Sequence, residues 1–108
     1  MNQEMIKEVV GYLTVIYGEY LKGIILYGSV ARNTATDESD IDIAVLVDAD
    51  DLRQFEDSLL DVIVDMNLKY DKVFSILDIS YNKFKKWEEV MPFYRNVKKD
   101  GIVLWEAA

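Results

Sequence analysis

The feature that most constrains this chain is a pair of aspartates, Asp40 and Asp42, at the start of an apolar segment. Apolar residues at alternate positions predict a strand over 41–47. Side chains at i and i+2 of a strand share one face about 6.5 Å apart, so the two carboxylates project together. Two carboxylates beside an apolar core repel each other and resist burial. One or two divalent cations would offset that cost, which makes the pair a candidate metal site.

Upstream of that pair, an apolar run over residues 23–27 leads into Gly28 and Ser29. The run predicts a buried strand over 24–27, and a short helix is expected over 29–32. Free backbone N–H groups at the start of a helix can receive phosphate oxygens. A polar segment then joins this helix to the aspartate pair. A calcium-binding loop is excluded, because the segment after the aspartates lacks the glycine and the terminal glutamate that such a loop needs.

The string GSVARNTATDESDIDIAV, residues 28–45, resembles the signature of the DNA polymerase β-type nucleotidyltransferases. It is most similar to that of their smallest members, the minimal (MNT-type) nucleotidyltransferases. The signature runs G-S-x-A-R-G, then a few residues, then S-D-x-D. Every fixed position is met except the second glycine, where this chain has Asn33. Asparagine tolerates left-handed backbone geometry better than most residues do, so the departure is mild.

The resemblance implies transfer of a nucleoside monophosphate, AMP from ATP, to an acceptor hydroxyl. Two Mg²⁺ ions held by Asp40 and Asp42 would neutralise the charge that such a transfer brings together. The family usually has a third carboxylate on a neighbouring strand. Asp71, at the start of a strand predicted over 72–79, is the favoured candidate for this catalytic and metal-binding role. Asp78, expected as a solvated turn residue at the far end of that strand, is the alternative, and Asp71 could also be a plain turn aspartate.

The same resemblance assigns the nucleotide to the Gly-Ser turn. Gly28 and Ser29 would contact the β- and γ-phosphates through backbone N–H groups and the serine hydroxyl. Arg32 would pair with a phosphate or stack on the base. An ordinary surface ion pair with Asp37 or Glu38 is the other interpretation of Arg32.

Composition limits the catalytic groups and the kinds of metal site that this chain can provide. The chain has 108 residues, a net charge of −8, and neither cysteine nor histidine. Thiol chemistry, a histidine general base and a histidine-ligated zinc site are therefore excluded within it. The negative charge argues against direct nucleic-acid binding. No apolar run has the length of a membrane span, and the first residues do not resemble a signal peptide, so a cytoplasmic location is expected.

The remaining periodicity predicts one α/β domain over residues 1–108, with a small twisted mixed sheet flanked by helices. That architecture agrees with the nucleotidyltransferase core which the resemblance implies. The other predicted elements are helices over 2–20, 51–67 and 81–90, a further helical turn over 92–99, and a short edge strand over 102–105.

The acceptor of the nucleotide is the open question, because larger relatives hold their acceptor in a second domain and no such domain is expected within these 108 residues. Minimal nucleotidyltransferases often pair with a small helical HEPN protein as antitoxin to its RNase toxin, so the resemblance implies such a protein partner and acceptor. Late aromatic residues either pack in the core or line a partner or homodimer face. Two alternatives stay open at this stage. One is a non-catalytic module that binds and neutralises a partner, and the other is an enzyme that modifies a small molecule such as an aminoglycoside.

Overall fold

The computed structural model of this chain describes residues 3–32 and 40–108. The helices are α1 (Gln3–Tyr17), α2 (Gly28–Ala31), α3 (Glu56–Tyr70), α4 (Tyr81–Trp87) and α5 (Pro92–Asp100). The strands are β1 (Leu21–Tyr27), β2 (Ile41–Val47), β3 (Phe74–Ser80) and β4 (Ile102–Glu106). Within the described ranges, no helix combines the length and the apolar content that crossing a membrane requires.

The four strands form one sheet in the order β3-β2-β1-β4. Strand β1 is antiparallel to both β2 and β4, whereas β2 and β3 are parallel. A parallel pair needs a crossover connection, and α3 supplies it between β2 and β3. The predicted fold class, a small mixed sheet flanked by helices, is confirmed. The predicted position of the last strand at an edge of the sheet is confirmed as well.

Each face of the sheet carries its own apolar cluster because successive strand side chains point to opposite sides. On one face, Ile43, Val45 and their neighbours pack against the buried sides of α1 and α3. On the other face, Ala44 and Leu46 pack with Phe84 of α4 and with α5. Asp42 has the same parity as Ala44, so its side chain is on the face that α4 and α5 cover.

Helix and strand boundaries differ from the predicted ones where backbone geometry intervenes. The first helix ends at Tyr17 rather than at residue 20, because Gly18 adopts a positive φ of 52° and begins a 3₁₀ turn. The helix predicted over 51–67 begins only at Glu56, after a second 3₁₀ turn, and continues to Tyr70. The polar segment over 33–39, and with it Asn33, lies outside the described residues.

The boundaries of the later elements also differ from the predicted ones. Strand β3 begins at Phe74 rather than at residue 72, and it continues to Ser80. The helix predicted over 81–90 ends at Trp87, because the chain then turns before Pro92 begins α5. Proline suits this first helical position, since its φ is already helical and its missing N–H has no partner there anyway.

Asp78 has a structural partner that the sequence did not reveal. It lies within β3, where it pairs in register with Val45, and it is not a solvated turn residue as expected. The hydroxyl of Tyr17 donates a hydrogen bond of 2.9 Å to Oδ2 of Asp78. Burial and the neighbouring carboxylate both raise the pKa of Tyr17 far above its ordinary value. This bond ties the end of α1 to the edge strand of the sheet.

We expect Tyr17→Phe to lower the free energy of unfolding by about 1–2 kcal/mol, because it removes one hydrogen bond to a carboxylate and keeps the buried ring. Tyr20→Phe is the matched control: both tyrosine rings contact Phe55, but Tyr20 is 41% exposed. That variant should stay within about 0.5 kcal/mol of the wild type. Urea unfolding monitored by circular dichroism measures both, and equal losses in the two variants would contradict the role given to the Tyr17–Asp78 bond.

Candidate functional site

The centre of the candidate site is a row of side chains across three strands. Asp42 of β2 pairs in register with Tyr27 of β1 on one side and with Ser75 of β3 on the other. Side chains of directly paired residues project from the same face of a sheet. Asp40 immediately precedes β2 and is exposed, while Asp42 is half-buried. The row therefore lies at the end of the α4–α5 face where β2 begins, and Asp40 at that end is exposed to solvent.

Gly28 lies directly against the Asp42 carboxylate. A Cβ atom at this position would overlap Oδ2 of Asp42 and would lie 3.1 Å from its Cγ. Gly28 also has a positive φ of 75°, a conformation that residues with side chains adopt only with strain. Both the backbone geometry and the close approach therefore require glycine here.

Helix α2 begins at Gly28, so Gly28 and Ser29 stand at its amino end, as the sequence predicted for the phosphate-binding turn. The helix is short, and its last hydrogen bond runs from the Arg32 backbone N–H to the Gly28 carbonyl oxygen, 3.1 Å away. This single turn sets Arg32 close enough to Asp42 for its charge to act on that carboxylate. The alternative partners of Arg32, Asp37 and Glu38, lie outside the described residues.

The electrostatics of the site disfavour a charged Asp42. Burial raises the pKa of Asp42 above its ordinary value, and the negative charge of Asp40 raises it further. The positive charge of Arg32 acts in the opposite direction but is the smallest of the three effects. Burial, followed by the charge of Asp42, likewise raises the pKa of Tyr27. A cation between the two carboxylates would remove this repulsion.

The two candidates for a third carboxylate occupy different places. Asp71 ends α3 in the left-handed conformation, with a φ of 50°, and is exposed. It lies at the correct end of the sheet, because β2 and β3 are parallel and both start there. Within residues 3–32 and 40–108, however, no three carboxylates group closely enough to hold one metal ion. The structure thus brings Asp40 and Asp42 together but does not add Asp71, whose catalytic role stays a prediction.

Asp78 is separated from the site by the sheet itself. It pairs with Val45, so its side chain is on the α1–α3 face, opposite to that of Asp42. There it borders a groove of ≈ 390 Å³ that is lined mainly by the start of α3. Asp78 is therefore placed to support the fold rather than to share a cation with Asp42.

Ser75 is the residue that sequence reasoning missed. The alternating pattern of β3 shows which residues share a face with Ser75, but only the register of the parallel pair sets Ser75 beside Asp42. Parallel pairing and register depend on how α3 crosses the sheet, which no local pattern states.

The described residues fit a magnesium site that is shared with a nucleotide. Carboxylate oxygens are the protein ligands that Mg²⁺ prefers, and it is commonly bound by one or two carboxylates together with substrate phosphates. Asp40 and Asp42 provide two such carboxylates, and they lie close enough for the charge of Asp40 to act on Asp42.

Comparison with known proteins agrees with this description. The family model described as polymerase beta, nucleotidyltransferase matches residues 14–107. A relative from Methanocaldococcus jannaschii, named as a candidate protein adenylyltransferase, is 39% identical, and the alignment covers 97% of this chain and 100% of the relative.

Two solved structures share the fold. One is a crystal structure of a toxin–antitoxin complex with AMP-PNP, in which the similar chain has a TM-score of 0.65 and 24% identity, with 99% of this chain and 75% of that chain covered. The other contains a tri-AMPylated HEPN toxin of Shewanella oneidensis with an MNT antitoxin. Its similar chain has a TM-score of 0.63 and 22% identity, with coverage of 99% and 74%. At these identities the likeness establishes the fold alone.

We expect Gly28→Ala to destabilise the protein more than Gly18→Ala, although both glycines have a positive φ. A Cβ at Gly18 meets no atom within 4 Å, so only backbone strain of about 1 kcal/mol applies there. At Gly28 the Cβ also displaces the Asp42 carboxylate, which should at least double the loss. In an Asp42→Ala background most of the excess should disappear, because of the Asp42 atoms only the Cβ, 3.3 Å from the added Cβ, would remain in contact. Urea unfolding of the four variants can measure this. An undiminished excess in that background would show that the carboxylate does not cause it.

Proposed function

Since this chain belongs to the polymerase β-type nucleotidyltransferase family, we propose that it transfers AMP from ATP to a hydroxyl group of a partner protein. The observation that carries the proposal is the relative named as a candidate protein adenylyltransferase, which is similar over its whole length. The paired aspartates beside the Gly28 turn supply the chemistry that such a transfer needs. The proposal takes residues 1–108 as one catalytic domain that works in the cytoplasm.

The proposed acceptor is a small helical protein of the HEPN class, and the proposed role is that of an antitoxin. Support comes from the structural neighbours, one of which was crystallised as an MNT antitoxin with an AMPylated HEPN toxin. The net charge of −8 suits a basic protein partner better than a nucleic acid. Modification of a toxin hydroxyl would then be the means by which the chain neutralises its partner.

In this proposal each residue of the site has one task. Asp40 and Asp42 hold Mg²⁺, and the amino end of α2 at Gly28 and Ser29 holds the β- and γ-phosphates. Arg32 pairs with a phosphate oxygen. Mg²⁺, when bound, neutralises phosphate charge and makes the acceptor hydroxyl more acidic. Asp71 is assigned to the acceptor side on the family pattern and its position beside the start of β3.

The reaction breaks the phosphoanhydride bond between the α- and β-phosphates of ATP and forms a phosphodiester bond to the acceptor oxygen. The acceptor oxygen forms a bond to the α-phosphorus of ATP while the bond from that phosphorus to the bridging oxygen breaks. The electron pair leaves with pyrophosphate, and the acceptor hydroxyl gives up its proton. The protein mainly positions the two reactants and stabilises charge, which is the usual division of labour in such transfers.

We expect Asp40→Asn and Asp42→Asn each to reduce AMP transfer by about 10²-fold or more, because each removes a charge that binds the metal. The fold should persist, because loss of the Asp42 charge removes both the cost of burying that charge and its repulsion from Asp40. The measurement is label transfer from α-phosphate-labelled ATP with Mg²⁺ in lysate of the source organism. Full activity of either variant would contradict the metal assignment, provided that circular dichroism shows equal folding.

Asp71→Asn should lose transfer while retaining ATP binding, because its proposed place is on the acceptor side. Asp78→Asn is the matched control: its side chain is on the opposite face of the sheet, so transfer should remain. If only Asp78→Asn loses transfer, the choice of Asp71 is wrong.

A labelled protein that depends on the wild-type chain supports the proposal. Labelled small molecules alone, or no label at all, would favour the small-molecule enzyme or the binding module instead.

A further inference from the structure

A row of large apolar side chains lies on the solvent side of α3, outside the core of the protein. Leu60, Val64 and Leu68 are 57%, 47% and 80% exposed. They are four residues apart, so they follow one another along about 12 Å of the same side of the helix. Single exposed apolar residues are ordinary, but an aligned row of large ones indicates a surface that another molecule covers. We call these three residues the α3 stripe.

A groove adjoins the α3 stripe where α3 lies beside the edge strand β3. Its volume is ≈ 390 Å³, and Leu60 belongs both to the stripe and to the wall of the groove. The stripe therefore continues into a concave surface that can receive a side chain of a bound partner. The other apolar residues that line the groove are Leu52, Leu59 and Ile63, and its carboxylates are those of Glu56 and Asp78.

Carboxylates also border the α3 stripe along the helix. Asp57, Asp61 and Asp65 each precede a stripe residue by three positions, and all three are exposed. Residues three apart are neighbours on the surface of a helix, so each stripe residue has an aspartate beside it. The stripe thus has a row of aspartates along α3 and the two carboxylates of the groove beside Leu60.

The cationic side chains next to this surface are paired within the chain. Arg53, which lines the groove, forms an ion pair of 3.0 Å with Asp51. Lys69, the residue after Leu68, forms an ion pair of 2.6 Å with Glu8. These two cations therefore do not neutralise the aspartates along the stripe, and the surface around the stripe has an excess of negative charge.

A straight apolar row with acidic borders fits an amphipathic helix that has Lys or Arg beside its own apolar row. Two helices in contact bury such rows against each other, and opposite charges at the borders fix the register and raise the rate of association. A second copy of this chain fits less well. A two-fold interface sets the same patch against itself, so it would bring two sets of the same carboxylates together.

We propose that the α3 stripe and its groove form a docking surface for a basic amphipathic helix of a partner protein. Helix α3 packs on the face of the sheet opposite to Asp42, so a partner that is bound to the stripe leaves that carboxylate accessible. The inference goes beyond the proposed function, because it assigns a binding surface that takes no part in AMP transfer.

The test uses two designed helical peptides that share a row of leucines. One has lysines on both borders of the row, and the other has glutamates at the same positions. Each is titrated into the ¹⁵N-labelled chain, and the amide resonances are followed by NMR. We expect the lysine peptide to shift resonances of α3 and of the groove. It should bind about tenfold more tightly, or more, than the glutamate peptide, because its charges complement the aspartates.

A double variant tests the apolar part of the surface. Leu60→Gln combined with Leu68→Gln should weaken binding of the lysine peptide about tenfold or more, because both leucines would be covered in the complex. Both are exposed and glutamine is a good helix former, so the fold should persist, as circular dichroism can check. Val90→Gln is the matched control. Val90 is 64% exposed but lies between α4 and α5, so this variant should bind like the wild type.

Any of three results would overturn the inference. The first is that the lysine peptide does not bind, or shifts resonances without preference for α3. The second is equal affinity of the wild type for the two peptides. The third is a wild-type dimer in sedimentation that the leucine variant does not form, because a second copy would then cover the stripe.

Failure of the proposed function would be distinguishable from failure of this inference. Asp42→Asn removes a charge on the opposite side of the sheet, so this variant should bind the lysine peptide like the wild type. A chain that binds the peptide through α3 but transfers no AMP retains the inference. A chain that transfers AMP but binds neither peptide retains the function and removes the inference.

Discussion

The close approach of the Asp42 carboxylate to the backbone at Gly28 is the constraint on which the rest of the site depends. It follows from the antiparallel register of β1 and β2, which pairs Tyr27 with Asp42 and brings the next residue, Gly28, over the carboxylate. Only glycine allows both the positive φ and the contact. Partial burial of the Asp42 carboxylate beside Asp40 costs free energy. The complete burial of the next strand residues, Ile43 to Val45, offsets that cost.

The two faces of the sheet differ in the size of their apolar clusters and in the polar residues that they carry. The α1–α3 face contains the larger apolar cluster and the Tyr17–Asp78 bond that closes its edge. The α4–α5 face is smaller, and its open end carries the row of Tyr27, Asp42 and Ser75. Because the two faces are supplied by alternating residues of the same strands, a change of one residue in register would exchange them.

Charge is unevenly distributed along this chain, which is acidic as a whole. Helices α4 and α5 and the turn between them carry six cationic side chains and two glutamates ahead of Asp100: Lys83, Lys85, Lys86, Glu88, Glu89, Arg95, Lys98 and Lys99. Both glutamates pair with Lys98, and Glu88 also pairs with Lys85. The remaining positive charge lies on the two helices that pack against the same face of the sheet as Asp42.

The sequence by itself determined the local features: the strand over 41–47, the turn at Gly28, the paired aspartates, and through them the family and the mixed sheet. These follow from patterns of a few neighbouring residues, such as period two in a strand and the spacing of the glycine, the serine and the two aspartates. Only the tertiary structure decided which residue stands beside Asp42. Ser75 lies beside Asp42 and Asp78 lies on the opposite face because of the parallel register of β2 and β3, and that register depends on the packing of α3 across the sheet. Contacts between residues 33 apart in the chain are set by that packing, and no local pattern contains them.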